Sequence, residues 1–112
     1  MKKVEAILRP ETLPGVREAL ERVGVTGLTI IQVLGHGAQK GVTQQWKGNT
    51  YSVDLLPKVE LKTVIPDEKL EAVLKAIEQS AKTGAVGDGK VFISSVEEVL
   101  RVRTGERGAA AV

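Results

Sequence analysis

From Lys3 to Leu8 the chain alternates, with Val4, Ala6 and Leu8 on one face and Glu5 and Ile7 on the other, which predicts a strand. Pro10 ends it. Thr12 is placed to cap a helix with Pro14 in its first turn, in which Leu13, Val16, Leu20 and Val23 recur at helical spacing. Arg17, Glu18, Glu21 and Arg22 form its solvated face, and Gly24 supplies a left-handed C-terminal cap. The run Leu28-Thr29-Ile30-Ile31-Gln32-Val33-Leu34 is almost continuously apolar and rich in β-branched residues, the pattern of a central strand covered on both faces.

Between Gly35 and Pro57 no helical or strand period persists, and Gly35, Gly37, Gly41 and Gly48 punctuate polar residues. The segment reads as a functional loop of some twenty residues, because structureless loops beyond ~12 to 15 residues are uncommon unless they carry function. Alternation resumes with Val59, Leu61, Thr63 and Ile65 against Glu60, Lys62 and Val64, so loop and strands together form an extended hairpin. Beyond Pro66, Asp67 opens a second helix with the stripe Leu70, Val73, Leu74, Ile77 and Ala81, and with Lys69, Glu71, Lys75 and Glu78 outward. Gly84 to Gly89 predicts a tight turn, Lys90 to Ser94 a fourth strand, Val99 to Arg103 a short fifth, and Gly108 to Val112 a loosely ordered tail. Strand, helix and strand occur twice around a hairpin connection, which gives an α+β ferredoxin-like βαββαβ sandwich with an antiparallel sheet and both helices on one face. The other face, with Val59 and Leu61 upon it, is expected to stay apolar until partner subunits cover it.

A chain of 112 residues and 12.0 kDa is one domain, 1–112, which excludes a two-domain enzyme. A core of this size leaves a thin margin of stability, so an oligomer is expected. Cysteine is absent, which removes disulfides, thiolate metal sites and cysteine nucleophiles and makes the cytoplasm the default location. The start Met1-Lys2-Lys3-Val4-Glu5 lacks a signal-like apolar stretch, and no window approaches the ~18 to 20 apolar residues of a membrane span. Sixteen basic against fourteen acidic residues, interspersed, give +2 and no global pull toward nucleic acid. Trp46, Tyr51 and Phe92 are the only aromatics, so the core must be aliphatic.

Candidate chemistry concentrates in two places. Thr83-Gly84-Ala85-Val86-Gly87-Asp88-Gly89-Lys90 sets three glycines and a lysine in eight positions, a composition that lets backbone amides converge on an anion. It is not a P-loop, because Val91 stands where the magnesium-binding hydroxyl belongs and a strand follows instead of a helix. A glycine-rich turn with a surface lysine is the plainer alternative. Arg101 and Arg103, two apart on a predicted strand, would point to one side and offer two guanidinium forks to phosphate oxygens, or else be ordinary edge-strand charges. His36, the sole histidine, has no clustered partner for metal or base chemistry, and Glu97 and Glu98 fall on opposite strand faces.

The stretches TGAVGDGKVF (Thr83 to Phe92), RVRTGE (Arg101 to Glu106) and VGVTGLTIIQVLGHGAQKG (Val23 to Gly41) resemble the PII-type nitrogen-regulatory signal-transduction proteins, and the likeness runs from Arg9-Pro10 to the last residue. The resemblance implies a homotrimer that binds ATP or ADP in three clefts between neighbouring subunits. It makes residues 82–90 the B-loop, 101–108 the C-loop of the adjacent subunit, and 36–56 the T-loop that touches target proteins. Gly87, Gly89 and Lys90 would hold phosphates, with Arg101 and Arg103 reaching them across the interface. Gly27, Thr29 and Val64 would surround the nucleoside, and Gly35, Gly37, Ala38 and Asp88 would complete the nucleotide shell. Gln39 would finish the coordination of a Mg2+ carried by ATP, while Lys58, with Gln39 and Gly87, would receive 2-oxoglutarate chelating that cation. A dicarboxylate that enters only when a triphosphate positions the metal makes the two ligands thermodynamically linked.

The resemblance also implies an ammonium transporter and nitrogen-assimilation enzymes or regulators as partners through the long loop, with recruitment to the membrane by the transporter, and no nucleic acid. Tyr51 matches a loop tyrosine that some members have uridylylated, or is a partner contact; Asn49 stands where some carry a phosphorylated serine. Ala38 replaces a frequent arginine, His36 a phenylalanine, Trp46-Lys47-Gly48 a tyrosine-arginine-glycine, and Glu60 and Lys62 reverse the usual order of charges. A nucleotide-switched sensor, not an enzyme, is the reading these residues favour. A slow ATPase or another small-molecule-binding regulator of this fold is second, since no base to activate water is evident, and an RNA-binding module has only Phe92 for stacking.

Overall fold

The computed structural model describes residues 1–36, 42–46, 49–53 and 55–112, with the backbone alone at 42–46 and 49–53. Its strands are β1 (Lys2–Leu8), β2 (Thr29–Gly35), β3 (Val42–Trp46), β4 (Asn49–Val53), β5 (Leu56–Ile65) and β6 (Gly89–Ser95), and its helices are α1 (Leu13–Arg22) and α2 (Leu70–Ala81). Four strands form one sheet in the order β2-β5-β1-β6, every neighbouring pair antiparallel, while β3 and β4 pair only with each other. Removing that hairpin leaves a βαββαβ order, the ferredoxin-like arrangement the alternation predicts.

Both helices bury one stripe, Val16 and Leu20 from α1 and Val73, Ile77 and Ala81 from α2, against Val4, Ala6, Leu8, Val59, Leu61 and Ile65 of the two central strands. Each such aliphatic side chain contributes about 1.5 to 3 kcal/mol when fully buried. Each helix grows out of a 3-10 turn, Pro10–Thr12 before α1 and Asp67–Lys69 before α2. Thr12 occupies the cap position, but its hydroxyl donates back to the Arg9 carbonyl at 2.8 Å instead of capping the helix. The buried polar residue among those described is Thr63, whose hydroxyl donates to the Gly27 carbonyl at 2.7 Å and ties the start of β2 to β5.

Four expectations change. β2 is an edge strand, not a central one, and Ile30, Ile31 and Leu34 are exposed, because none of the described residues covers it. Val59 and Leu61 lie under the helices, since they fall in register with Leu8 and Ala6; the open face carries Lys3, Glu5, Glu60 and Lys62 instead. There Lys3 pairs with Glu5 at 2.9 Å and Lys62 with Glu60 at 3.8 Å, and the Lys3 amine, above all, holds the Glu5 carboxyl below its ordinary range. The segment read as a structureless loop contains the β3–β4 ladder, in which Gln44 opposes Tyr51. Val99 to Arg103 is no strand: a single bridge joins Leu100 to Arg107 around a turn, and the tail ends in a 3-10 turn, Gly108–Ala111.

Candidate functional site

The turn from Thr83 to Gly89 leads into β6 against the end of β1. Gly89 has φ +112, and a Cβ added there would lie 1.8 Å from the Ile7 carbonyl oxygen, so only glycine lets β6 begin this close to β1. Within the turn, the Asp88 carboxylate accepts from the Thr83 amide at 2.8 Å, the Gly84 amide at 2.9 Å and the Thr83 hydroxyl. Arg9 adds its Nε at 3.1 Å and donates a second bond, at 2.6 Å, to the Val86 carbonyl. The Thr83 hydroxyl, then the Thr83 amide, with Gly84 and Arg9 adding to them, hold the Asp88 carboxyl far below the ordinary aspartate range against a partial opposing desolvation.

A cavity of about 520 Å3 opens beside this turn, a volume in the range of small-molecule pockets. Gly87, Asp88, Gly89 and Lys90 line it from the turn and β6, Lys58 from β5, and Gly35 from β2. Ile7, Leu56 and Phe92 supply apolar wall and His36 stands at its edge. Lys58 donates to the Gly87 carbonyl at 2.9 Å, so a cation on β5 is already bonded to the glycine turn. Two lysines, backbone amides and one apolar wall suit an anion attached to a flat or aliphatic body.

The remaining candidates lie elsewhere in the chain. Val64 pairs with Lys3, four residues along β1 from Ile7, or about 13 Å at the rise of a strand. Gly27 is held beside that end of β5 by Thr63, and Thr29 pairs with Lys62. The chain beyond β6 departs from the Met1 end, where the Val96 amide donates to the Met1 carbonyl, and neither arginine lines the cavity. Because Arg101 precedes a turn and Arg103 lies within it, the strand argument for a shared side does not hold. Arg101 is bonded to Glu106 at 2.6 Å and to the Ala110 carbonyl at 3.3 Å, whereas Arg103 makes no hydrogen bond or ion pair among the described residues. Gly37, Ala38 and Gln39 lie outside the described residues, and Tyr51 is placed by its backbone in β4.

Sequence reasoning brought Lys58, Gly35, Gly87, Gly89 and Lys90 to one place and missed Arg9. No local signal marks Arg9, because its partner Asp88 is 79 positions away. Among the described residues no three His, Asp or Glu side chains converge on a point that could hold a metal ion, and no helix is long and apolar enough to cross a membrane.

A family model described as Nitrogen regulatory protein P-II matches residues 1–106. Similar proteins include the Nitrogen regulatory protein P-II of Rhizobium meliloti (strain 1021), 52% identical over 112 residues with both chains fully covered. That of Azospirillum brasilense is 49% identical over the same full span. A Nitrogen regulatory protein P-II 2 of Methanothermobacter thermautotrophicus is 49% identical, with all of this chain and 97% of the relative covered. All three bear the names of regulators. With nearly its whole length matched, and with the glycine turn built against β1 as described, the chain belongs to the P-II nitrogen regulatory protein family.

Proposed function

We propose that this nitrogen regulatory protein binds ATP or ADP between copies of itself and, with ATP, 2-oxoglutarate, and that the bound ligands set how its hairpin engages target proteins. The observation that carries this is the cavity in which Lys58 and Lys90 meet the glycine turn. Phosphates would lie against the turn and Lys90. Gly27, Thr29, Val64, Arg101 and Arg103 line no part of that cavity, so a site using both sets draws the second from a neighbouring subunit. The exposed edge strand β2 fits such an assembly, and the family likeness favours three copies.

A magnesium ion would depend on the nucleotide's own oxygens and on Gln39, since the described residues offer no carboxylate set for it. Lys58 would exchange its bond to the Gly87 carbonyl for one carboxylate of 2-oxoglutarate. Partners expected through residues 36–56 are an ammonium transporter and nitrogen-assimilation enzymes, with Tyr51 available for contact or uridylylation. The location proposed is the cytoplasm, with recruitment to the membrane through the transporter.

Titration calorimetry with MgATP, with and without 2-oxoglutarate, tests this reading. ATP should bind alone and the dicarboxylate only in its presence; binding of 2-oxoglutarate without nucleotide would overturn the linkage. Hydrolysis of ATP over many turnovers would favour the ATPase reading instead.

A further inference from the structure

We propose that Asp88 and Arg9 form a clip that holds the 83–89 turn in its anion-receiving shape before any ligand arrives, acting as positioning residues and not as ligands. The inference rests on the nucleotide reading above and deepens it. Its ground is which backbone amides are occupied. The Thr83 and Gly84 amides donate to Asp88 at 2.8 and 2.9 Å, and the Ala85 amide donates to the Thr83 hydroxyl at 3.2 Å. The next two amides, of Val86 and Gly87, make no hydrogen bond among the described residues, while the Asp88 amide closes the turn back toward Ala85. One half of the turn is therefore closed on the carboxylate, and the other half keeps consecutive donors free for an anion.

Arg9 completes the device in two ways. Its bonds to Asp88 at 3.1 Å and to the Val86 carbonyl at 2.6 Å fix the carbonyl side of the turn while the amide side stays open. Its charge also cancels that of Asp88, which lines the cavity and would otherwise repel a phosphate at close range. Arg9 does not line the cavity. Any effect of its removal on ligand affinity must pass through the turn or through the charge of Asp88.

The test compares the full-length protein with Asp88→Asn, Arg9→Gln and Arg9→Lys. In the absence of nucleotide, amide hydrogen exchange at Thr83 and Gly84 should accelerate at least about tenfold in Asp88→Asn, as expected on losing bonds to a charged acceptor, with Ala85 following because its acceptor, the Thr83 hydroxyl, is itself held by Asp88, while protection in β1 and β5 persists. MgATP should bind at least about tenfold more weakly to Asp88→Asn and Arg9→Gln, with Arg9→Lys recovering most of the loss because it restores the charge and one donor. Unchanged exchange at the three amides, or tighter ATP binding by Asp88→Asn, would overturn the clip. Should Asp88→Asn fail to fold, Arg9→Gln carries both measurements. Should the wild type bind no ATP, the nucleotide reading fails, while exchange in the ligand-free proteins still decides whether the clip exists.

Discussion

Asp88, Glu5 and Asp67 are three carboxyls on separate parts of the surface, and each is held below its ordinary range by a neighbour in the fold. The chief donors are the Thr83 hydroxyl for Asp88, the Lys3 amine for Glu5 and the N-terminal amine for Asp67. A carboxyl whose folded value is depressed stabilises the fold above its unfolded value and loses that contribution as pH falls through the folded one. Denaturant midpoints should therefore be level above about pH 5 and decline progressively below about pH 4, where free aspartate and glutamate begin to protonate. Asp88→Asn should lessen the decline at its acid end, and a profile that rises on acidification would contradict these assignments. At this scale the sequence was readable where a residue answers to its neighbours, as Leu20 and Ile77 do through helical spacing. It was silent where the partner is remote, as for Arg9 with Asp88 or Thr63 with Gly27, 36 positions apart.

The elements divide the same way. α1, α2, β1 and β5 each pack one face on a common core, and burial imposes the period that the sequence then displays. The β3–β4 hairpin belongs to a two-stranded sheet separate from the one on which the helices pack, and Val42 to Trp46 and Asn49 to Val53 show no alternation strong enough to be read as strands, so the segment reads as a loop. β2 was legible as a strand but not as an edge, because continuous apolarity reports that both faces will be covered without saying by which chain. Between Val25 and Val59 the described core takes only the half-buried Leu28, well before the hairpin. Deleting 41–49 should accordingly leave the unfolding free energy within about 1 kcal/mol, since no core cavity is made, and leave MgATP binding nearly intact while abolishing target capture. Loss of nucleotide binding along with target capture would contradict this division of labour.

For the whole molecule, the decisive feature is that, among the described residues, the cavity gathers Lys58, Lys90 and the glycine turn but neither Arg101 nor Arg103, so the proposed site is shared between chains. A Lys90→Ala chain lacks the lysine of the turn, and an Arg101→Ala, Arg103→Ala chain lacks the arginines; each should bind ATP poorly alone. Unfolded and refolded together in equal amounts, they should regain about a quarter of the wild-type sites, because random assembly in a closed ring sets an intact turn beside intact arginines at that frequency. No recovery, in mixed oligomers shown to form, would mean that each site lies within one chain.

The bond from the Lys58 amine to the Gly87 carbonyl, 2.9 Å long, has a mechanical meaning. Lys58 stands at the head of β5, the strand by which the chain returns from the β3–β4 hairpin, so the root of that arm is tethered to the floor of the pocket. Such a tether, on the order of 1 kcal/mol, is strong enough to favour one posture of the arm and weak enough for a competing oxyanion to cut. Under the proposed function, cargo in the pocket and the pose of the arm then cease to be separate variables.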